Sequence, residues 1–254
     1  MYENIVMIRF KSFRGFFIRK IKDLPLLWRI YHYYSENKLN KKIQNKSNST
    51  EGAFKVIFDE NLWNEKESKS GIGSIQSNTK KVREDLYGLF IKYNINSFLD
   101  APCGDFNWMQ TINFNKIKYI GGDIVEQIII KNNELYKNDN RFFIKLDITK
   151  DKLPDVDLIF VRDCLVHLSD SLIFDFIRNL KKAKIKYLLT TNFPFTKNNY
   201  NITTGNWRAI NLQREPYNFP KELDILWEDT REGGDQYPDK SLFLYDISEI
   251  KILT

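Results

Sequence analysis

Four short apolar runs in the middle of the chain each end in an acid: Ser97-Phe-Leu-Asp100, Lys118-Tyr-Ile-Gly-Gly-Asp123, Phe142-Phe-Ile-Lys-Leu-Asp147 and Asp157-Leu-Ile-Phe-Val-Arg-Asp163. Such runs, separated for the most part by spacers of helix length, predict the buried parallel strands of an α/β sheet. After the first run, Ala101-Pro-Cys-Gly104 makes a tight turn and the residues up to Trp108 read as a helix start. Val82, Leu86, Leu89, Phe90 and Tyr93 recur at helical spacing behind a cap at Ser77 or Asn78. A second helix spans Val125 to Asn138, with Ile128, Ile129 and Leu135 on or near one face. A third, capped by Ser169, carries Leu172, Ile173, Phe176, Ile177 and Leu180. Tyr187–Asn192 reads as a fifth strand, and Leu223–Glu228 with Ser241–Asp246 as a closing hairpin.

The ends of the chain follow other patterns. Residues 1–36 are aromatic and basic, and Pro25 divides them into two predicted helices. Two readings stand for them: a helical cap on the core or on another subunit, or a basic amphipathic contact with a membrane surface or partner. Asn37–Thr50 is rich in Asn, Lys and Ser and reads as a linker, which divides the chain into 1–50 and 51–254. The chain has 254 residues and a formal charge of +6, but its lysines are scattered, as on a solvated surface, so no nucleic-acid partner is expected. Cys103 and Cys164 have neither zinc spacing nor a disulfide framework. No apolar stretch reaches the ~18–20 residues of a membrane span, and basic residues interrupt any signal-like run. A cytoplasmic protein is expected.

Candidate chemistry sits where the strands end. In open α/β sheets ligands bind beyond the C-terminal ends of the strands, and an acid about twenty residues after the first loop is placed for ribose hydroxyls. Asp123 is that acid. The Ser68-Lys-Ser-Gly-Ile-Gly-Ser74 loop offers backbone N–H groups suited to a carboxylate or phosphate. The Gly-x-Gly-x-x-Gly of nicotinamide enzymes is absent, which weighs against a dehydrogenase.

Leu99 to Gly104, Gly122-Asp-Ile124, Asp147-Ile148 and Arg162-Asp-Cys-Leu-Val-His-Leu168 resemble the first four motifs of class I S-adenosylmethionine-dependent methyltransferases. The set is similar to bacterial members associated with capsule and other surface-polysaccharide loci. The resemblance runs from about Phe58 to the C-terminus. It implies a Rossmann-like, doubly wound, seven-stranded sheet with an antiparallel last strand, preceded here by an N-terminal helical extension. S-adenosyl-L-methionine is the implied cofactor and S-adenosyl-L-homocysteine the product. Implied cofactor contacts are Asp100, Ala101, Gly104, Asp123 and Ile124, then Asp147 and Ile148 at the adenine edge, with Arg162, Trp63 and Gly73 alongside. Pro102 occupies the first glycine position of the family's Asp-x-Gly-x-Gly pattern, so the loop must approach the cofactor by another geometry.

Methyl transfer to a hydroxyl benefits from a positioned base. His167 or Asp163 can serve, with Asp163 either orienting His167 or acting itself; a structural role for the histidine is the other reading. Trp108, Asn192, Trp207 and Arg208 are candidate acceptor-binding residues, Trp207 stacking on a ring and Arg208 holding a phosphate in a bidentate fork. No cluster of acids marks a metal site. The expected function is O-methylation of a sugar hydroxyl on a nucleotide- or phosphate-linked precursor. The alternatives are N-methylation of RNA or protein, and a non-catalytic scaffold of a glycan-assembly complex.

Overall fold

The computed structural model describes residues 41–43, 46–230 and 237–251. The chain forms two compact units, Met1–Asn45 and Lys46–Thr254, and the second contains the sheet. The expected helices within residues 1–36 lie outside the described residues. Among the described residues no helix is long and apolar enough to cross a membrane.

The seven strands are β1 (Ser97–Asp100), β2 (Lys118–Asp123), β3 (Arg141–Lys145), β4 (Leu158–Val161), β5 (Tyr187–Asn192), β6 (Asp224–Trp227) and β7 (Ser241–Asp246). They lie in the order β3-β2-β1-β4-β5-β7-β6. β7 runs antiparallel to both neighbours, whereas the pairs among β1 to β5 are parallel. This is the seven-stranded Rossmann-like methyltransferase sheet expected from the motifs, its antiparallel strand included. β1 and β4 are adjacent, so the chain reverses its direction of winding between them. The loops after β1, β2 and β4 therefore meet at one edge.

Strand alternation sends side chains to two covered faces. Phe98, Tyr119, Phe143, Leu158, Phe160, Leu189, Leu242 and Leu244 pack on the first face with α2 (Lys80–Lys92) and Ile129 of α3 (Glu126–Tyr136). Leu99, Ile120, Ile159, Val161, Leu188, Phe243 and Tyr245 pack on the second with α4 (Asp170–Leu180). There the long segment 193–222, which has no helix or strand, contributes Ile210, Leu212, Tyr217 and Phe219. Apolar runs without alternation, as in Leu158–Val161, are what a sheet covered on both faces requires.

Four local expectations change. No α-helix follows the loop after β1; Phe106 takes φ 58° and only a single 3₁₀ turn forms at Met109–Thr111. The cap residue of α2 is Thr79, not Ser77 or Asn78, and its hydroxyl donates backwards to Ile75 O (3.1 Å). Leu135 is 59% exposed rather than on the packed face of α3. An unforeseen helix, α1 (Thr50–Asp59), begins inside the supposed linker, where Ser49 Oγ accepts from Gly52 N and Ala53 and Ile57 are buried.

Candidate active site

The loop after β1 is built around two carboxylates. Asp100, buried at the strand end, accepts from Tyr119 Oη (2.7 Å), and burial pushes its pKa up to about 8. The Ala101–Pro102 peptide is cis. Beyond it Cys103 N–H donates to Gly122 O (2.8 Å), which lays the loop across the end of β2. Asp123 then accepts from Gly104 N (3.1 Å) on one oxygen and from Val125 N (2.9 Å) on the other. Burial raises its pKa to about 6, with the backbone donors opposing the shift. Gly104 has φ +54°, and a Cβ there would lie 2.2 Å from Ser70 Oγ, so the position admits only glycine without displacing the loop above it.

That upper loop, from Trp63 to Ser74, is a strap over the C-terminal edge of the sheet. Asp105 fastens it: its carboxylate accepts from Ser68 Oγ (2.9 Å), Lys69 N (2.9 Å) and Ser70 Oγ (3.2 Å), and its own N–H donates to Ser70 Oγ (2.9 Å). The donor-rich Ser/Gly loop thus holds a carboxylate, and the carboxylate belongs to the protein. Gly71 (φ +94°) packs flat on the Trp63 ring, and the Gly73 carbonyl accepts from Arg162 Nη1 (2.8 Å).

Arg162 anchors a buried group of four charges. Its Nε and Nη2 donate to the two oxygens of Glu228 (3.2 and 2.6 Å), and Nη1 lies 3.2 Å from Asp163. Lys240 Nζ bridges Asp163 (2.7 Å) and Glu228 (3.5 Å). Side-chain exposure is 4% for Arg162 and for Lys240, 0% for Glu228 and 24% for Asp163. Burial alone would raise the Asp163 pKa, but Lys240 and Arg162 outweigh it and hold the carboxyl well below its usual value. Asp163 itself adopts φ 52°, with its N–H donated to Thr191 Oγ1 (2.8 Å).

His167 ends the 3₁₀ turn Leu165–His167 that follows. Its Nδ1 lies 2.7 Å from Asn206 O. A carbonyl can only accept, so Nδ1 carries the proton and Nε2 presents a lone pair. No described residue hydrogen-bonds Nε2. Burial lowers the imidazole pKa, which keeps the ring neutral at pH 7, and the Trp63 ring lies 5.2 Å away at 34°. The orienting group is thus a backbone carbonyl; the structure shows no Asp163–His167 hydrogen bond.

Other candidates take different places. Arg208 is wholly buried and donates to Leu168 O (2.7 Å), Asp170 Oδ1 (2.8 Å) and Tyr217 Oη (2.8 Å). It is an internal strut, and a phosphate fork there would require breaking these bonds. Asp147 is folded into a local turn, accepting from Thr149 N (3.0 Å) and Thr149 Oγ1 (2.6 Å), and Ile148 belongs to the second core face. Trp108 is buried beneath the Arg162 guanidinium, 5.4 Å from its ring centroid. Asn192 is buried with Oδ1 accepting from Leu212 N (2.7 Å), while its Nδ2 has no partner. Trp207 is half-buried against Phe193 and Tyr237. Ala101 lies in the second core face and Ile124 stands beside Asp123 at the end of β2. Asp105, Glu228, Lys240 and Asn206 are site residues that the motifs did not mark.

No protein-family model and no curated protein matches the chain. Solved structures similar to it include the methyltransferase domain of bacterial CtHen1, 12% identical over 66% of this chain and 98% of that one, with a TM-score of 0.48. Another is an S-adenosylmethionine-dependent methyltransferase from Clostridium acetobutylicum, 10% identical over 66% and 91% of the two chains, with a TM-score of 0.47. A magnesium protoporphyrin IX methyltransferase from Synechocystis with bound S-adenosylhomocysteine is 13% identical over 47% and 58%, with a TM-score of 0.38.

Two predictions test this geometry. Glu228→Ala removes one of the two carboxylates that face Arg162 and Lys240 and is expected to cost about 3–5 kcal/mol in chemical denaturation; a cost under about 1 kcal/mol would show that the four-charge group does not hold the edge together. Asp100 keeps its proton up to about pH 8 in the folded state, whereas an unfolded aspartate loses it near 4. The folded state therefore binds the extra proton, and stability falls as pH rises through this window. Between about pH 6.5 and 8 Asp100 drives the falling limb, the tail of the Asp123 titration adds to it, and the lowered pKa of His167 opposes it. Asp100→Asn is expected to flatten the denaturation midpoint across it.

Proposed function

We propose that this chain is a cytoplasmic S-adenosylmethionine-dependent O-methyltransferase acting on a sugar hydroxyl of a nucleotide- or phosphate-linked precursor in surface-glycan synthesis. The observation that carries the reading is the pairing, at one sheet edge, of a buried ribose-type acid at the end of β2 with an imidazole after β4 whose Nδ1–H is fixed and whose Nε2 is open. The surface-glycan part rests on the motif resemblance.

The donor set fits the cofactor at Asp123. Each oxygen accepts one backbone N–H, which leaves lone pairs for two adjacent hydroxyls. Its raised pKa is the mark of a buried carboxylate that further donors would stabilise. Gly104 and Ile124 flank it, with Asp100 and Ala101 at the base of the loop and Trp63 and Gly73 on the strap. Arg162 acts by holding the strap. The cofactor supplies a methyl group on a sulfonium, an electrophile that needs no activation by the protein.

The remaining tasks are alignment of the acceptor and removal of its proton. His167 is suited to the second: neutral at pH 7, held in one tautomer, and able to take the hydroxyl proton on Nε2. Asp163 is too weak a base in its locked, ionised state. Its negative charge favours the imidazolium formed when His167 takes the proton.

Calorimetric titration with S-adenosylhomocysteine tests the cofactor assignment. Asp123→Ala is expected to weaken binding by roughly 1–3 kcal/mol, and unchanged affinity would remove Asp123 from the site. His167→Ala should leave that binding intact and lower turnover by at least ~10²-fold. A fully active mutant would make the histidine structural.

A further inference from the structure

Three segments distant in sequence bring aromatic rings together beside His167. Asn206, whose carbonyl holds Nδ1, is followed directly by Trp207. The bonds Gly205 N–H to His167 O (2.9 Å) and Arg208 N–H to Val166 O (3.0 Å) lay this segment along the histidine turn. Phe193, the first residue past β5, donates its N–H to Ile210 O (2.8 Å), and Tyr237 precedes β7. Trp207 lies 4.8 Å from Tyr237 and 5.8 Å from Phe193, both edge-on, and Phe193 lies 5.6 Å from Tyr237. Phe193 is buried while Trp207 and Tyr237 are half-buried, so the cluster is rooted in the core and opens at the indole and the phenol. Phe195, 70% exposed two residues past Phe193, carries the aromatic character outwards.

Two of the described cations near this cluster are internally committed. Arg208 is spent on Leu168 O, Asp170 and Tyr217, and Lys240 lies between Asp163 and Glu228. The Asp239 carboxylate accepts Phe195 N–H (2.7 Å) at the same rim. A phosphate pressed against this rim meets the Asp239 carboxylate. An uncharged ring with an apolar face meets aromatic surface, and its hydroxyls remain free to bond at the edges.

Resting on the methyl-transfer reading for its chemistry, we infer that Trp207 and Tyr237 form the acceptor subsite and that they bind an uncharged saccharide ring. The acceptor is thus recognised through the sugar that carries the reacting hydroxyl; any phosphate on the precursor lies beyond this subsite.

Saturation-transfer NMR on the full chain, with and without S-adenosylhomocysteine, tests this. The probes are methyl β-D-glucopyranoside and methyl β-D-galactopyranoside, set against glucose 1-phosphate and phenol. Transfer to the glycoside ring protons is expected, lost in Trp207→Ala and kept in part in Trp207→Phe, which retains a ring and guards against a folding defect. Preference for phenol over the glycosides would overturn the inference, as would saccharide ring signals, from the glycosides or from glucose 1-phosphate, unchanged in a folded Trp207→Ala protein. Binding of S-adenosylhomocysteine with no glycoside signal would remove the subsite and leave the methyl-transfer reading standing. A glycoside signal that depends on Trp207 in a protein that does not bind S-adenosylhomocysteine would do the reverse.

Discussion

The edge of the sheet depends on the buried contact between Arg162 and Glu228. Taking an ion out of water costs several kcal/mol, and that cost is offset only where geometry is good and each remaining donor finds a partner. Here the guanidinium meets the carboxylate with two parallel bonds, gives a further donor to Gly73 O, and lies over the Trp108 ring. Lys240 and Asp163 complete a set of two positive and two negative charges. Without Glu228, Asp163 alone of the two carboxylates would face both cations in a poorly hydrated space. The antiparallel β6–β7 pair, at the far side of the sheet from β1, is joined through this set to the loop after β4.

The same arginine joins the strap to the sheet, and Asp105 does so again from the loop after β1. Trp63 at one end of the strap touches the imidazole, and Ser70 near its middle presses on Gly104 beside Asp123. The cofactor-type acid and the candidate base are therefore linked through one short length of chain. A loop rich in donors might be read as waiting for a ligand's anion; here Asp105 fills it.

Much of the fold was legible because strands covered on both faces leave continuous apolar runs, and four such runs ending in acids leave few arrangements open. Asp123 and His167 were legible for a related reason, since Asp123 closes β2 and His167 follows β4, strands that periodicity locates. The missing helix after β1 was not legible, because Phe106 in a left-handed conformation breaks a sequence that otherwise reads as a helix start. Glu228 carried a usable signal, an acid closing the apolar run of β6, yet its partner Arg162 is 66 positions away and only the sheet order brings them together. Arg208 misled in the opposite direction. An arginine among aromatics in a long loop looks like a ligand-binding residue, and nothing local announces that its Nη2 donors go to Asp170 and Tyr217.

The group that fixes the tautomer of His167 is a main-chain carbonyl from the loop that also presents Trp207. Any residue at position 206 would offer the same oxygen, provided the backbone keeps its course. The Asn206 side chain is thus uncoupled from the tautomer of the candidate base. On the proposed reading, the half-buried Trp207 can change, and with it the compound accepted, while His167 keeps its tautomer. What such change must preserve is the path of residues 205–208 along the histidine turn, which Gly205 at φ 98° and the buried Arg208 help to set.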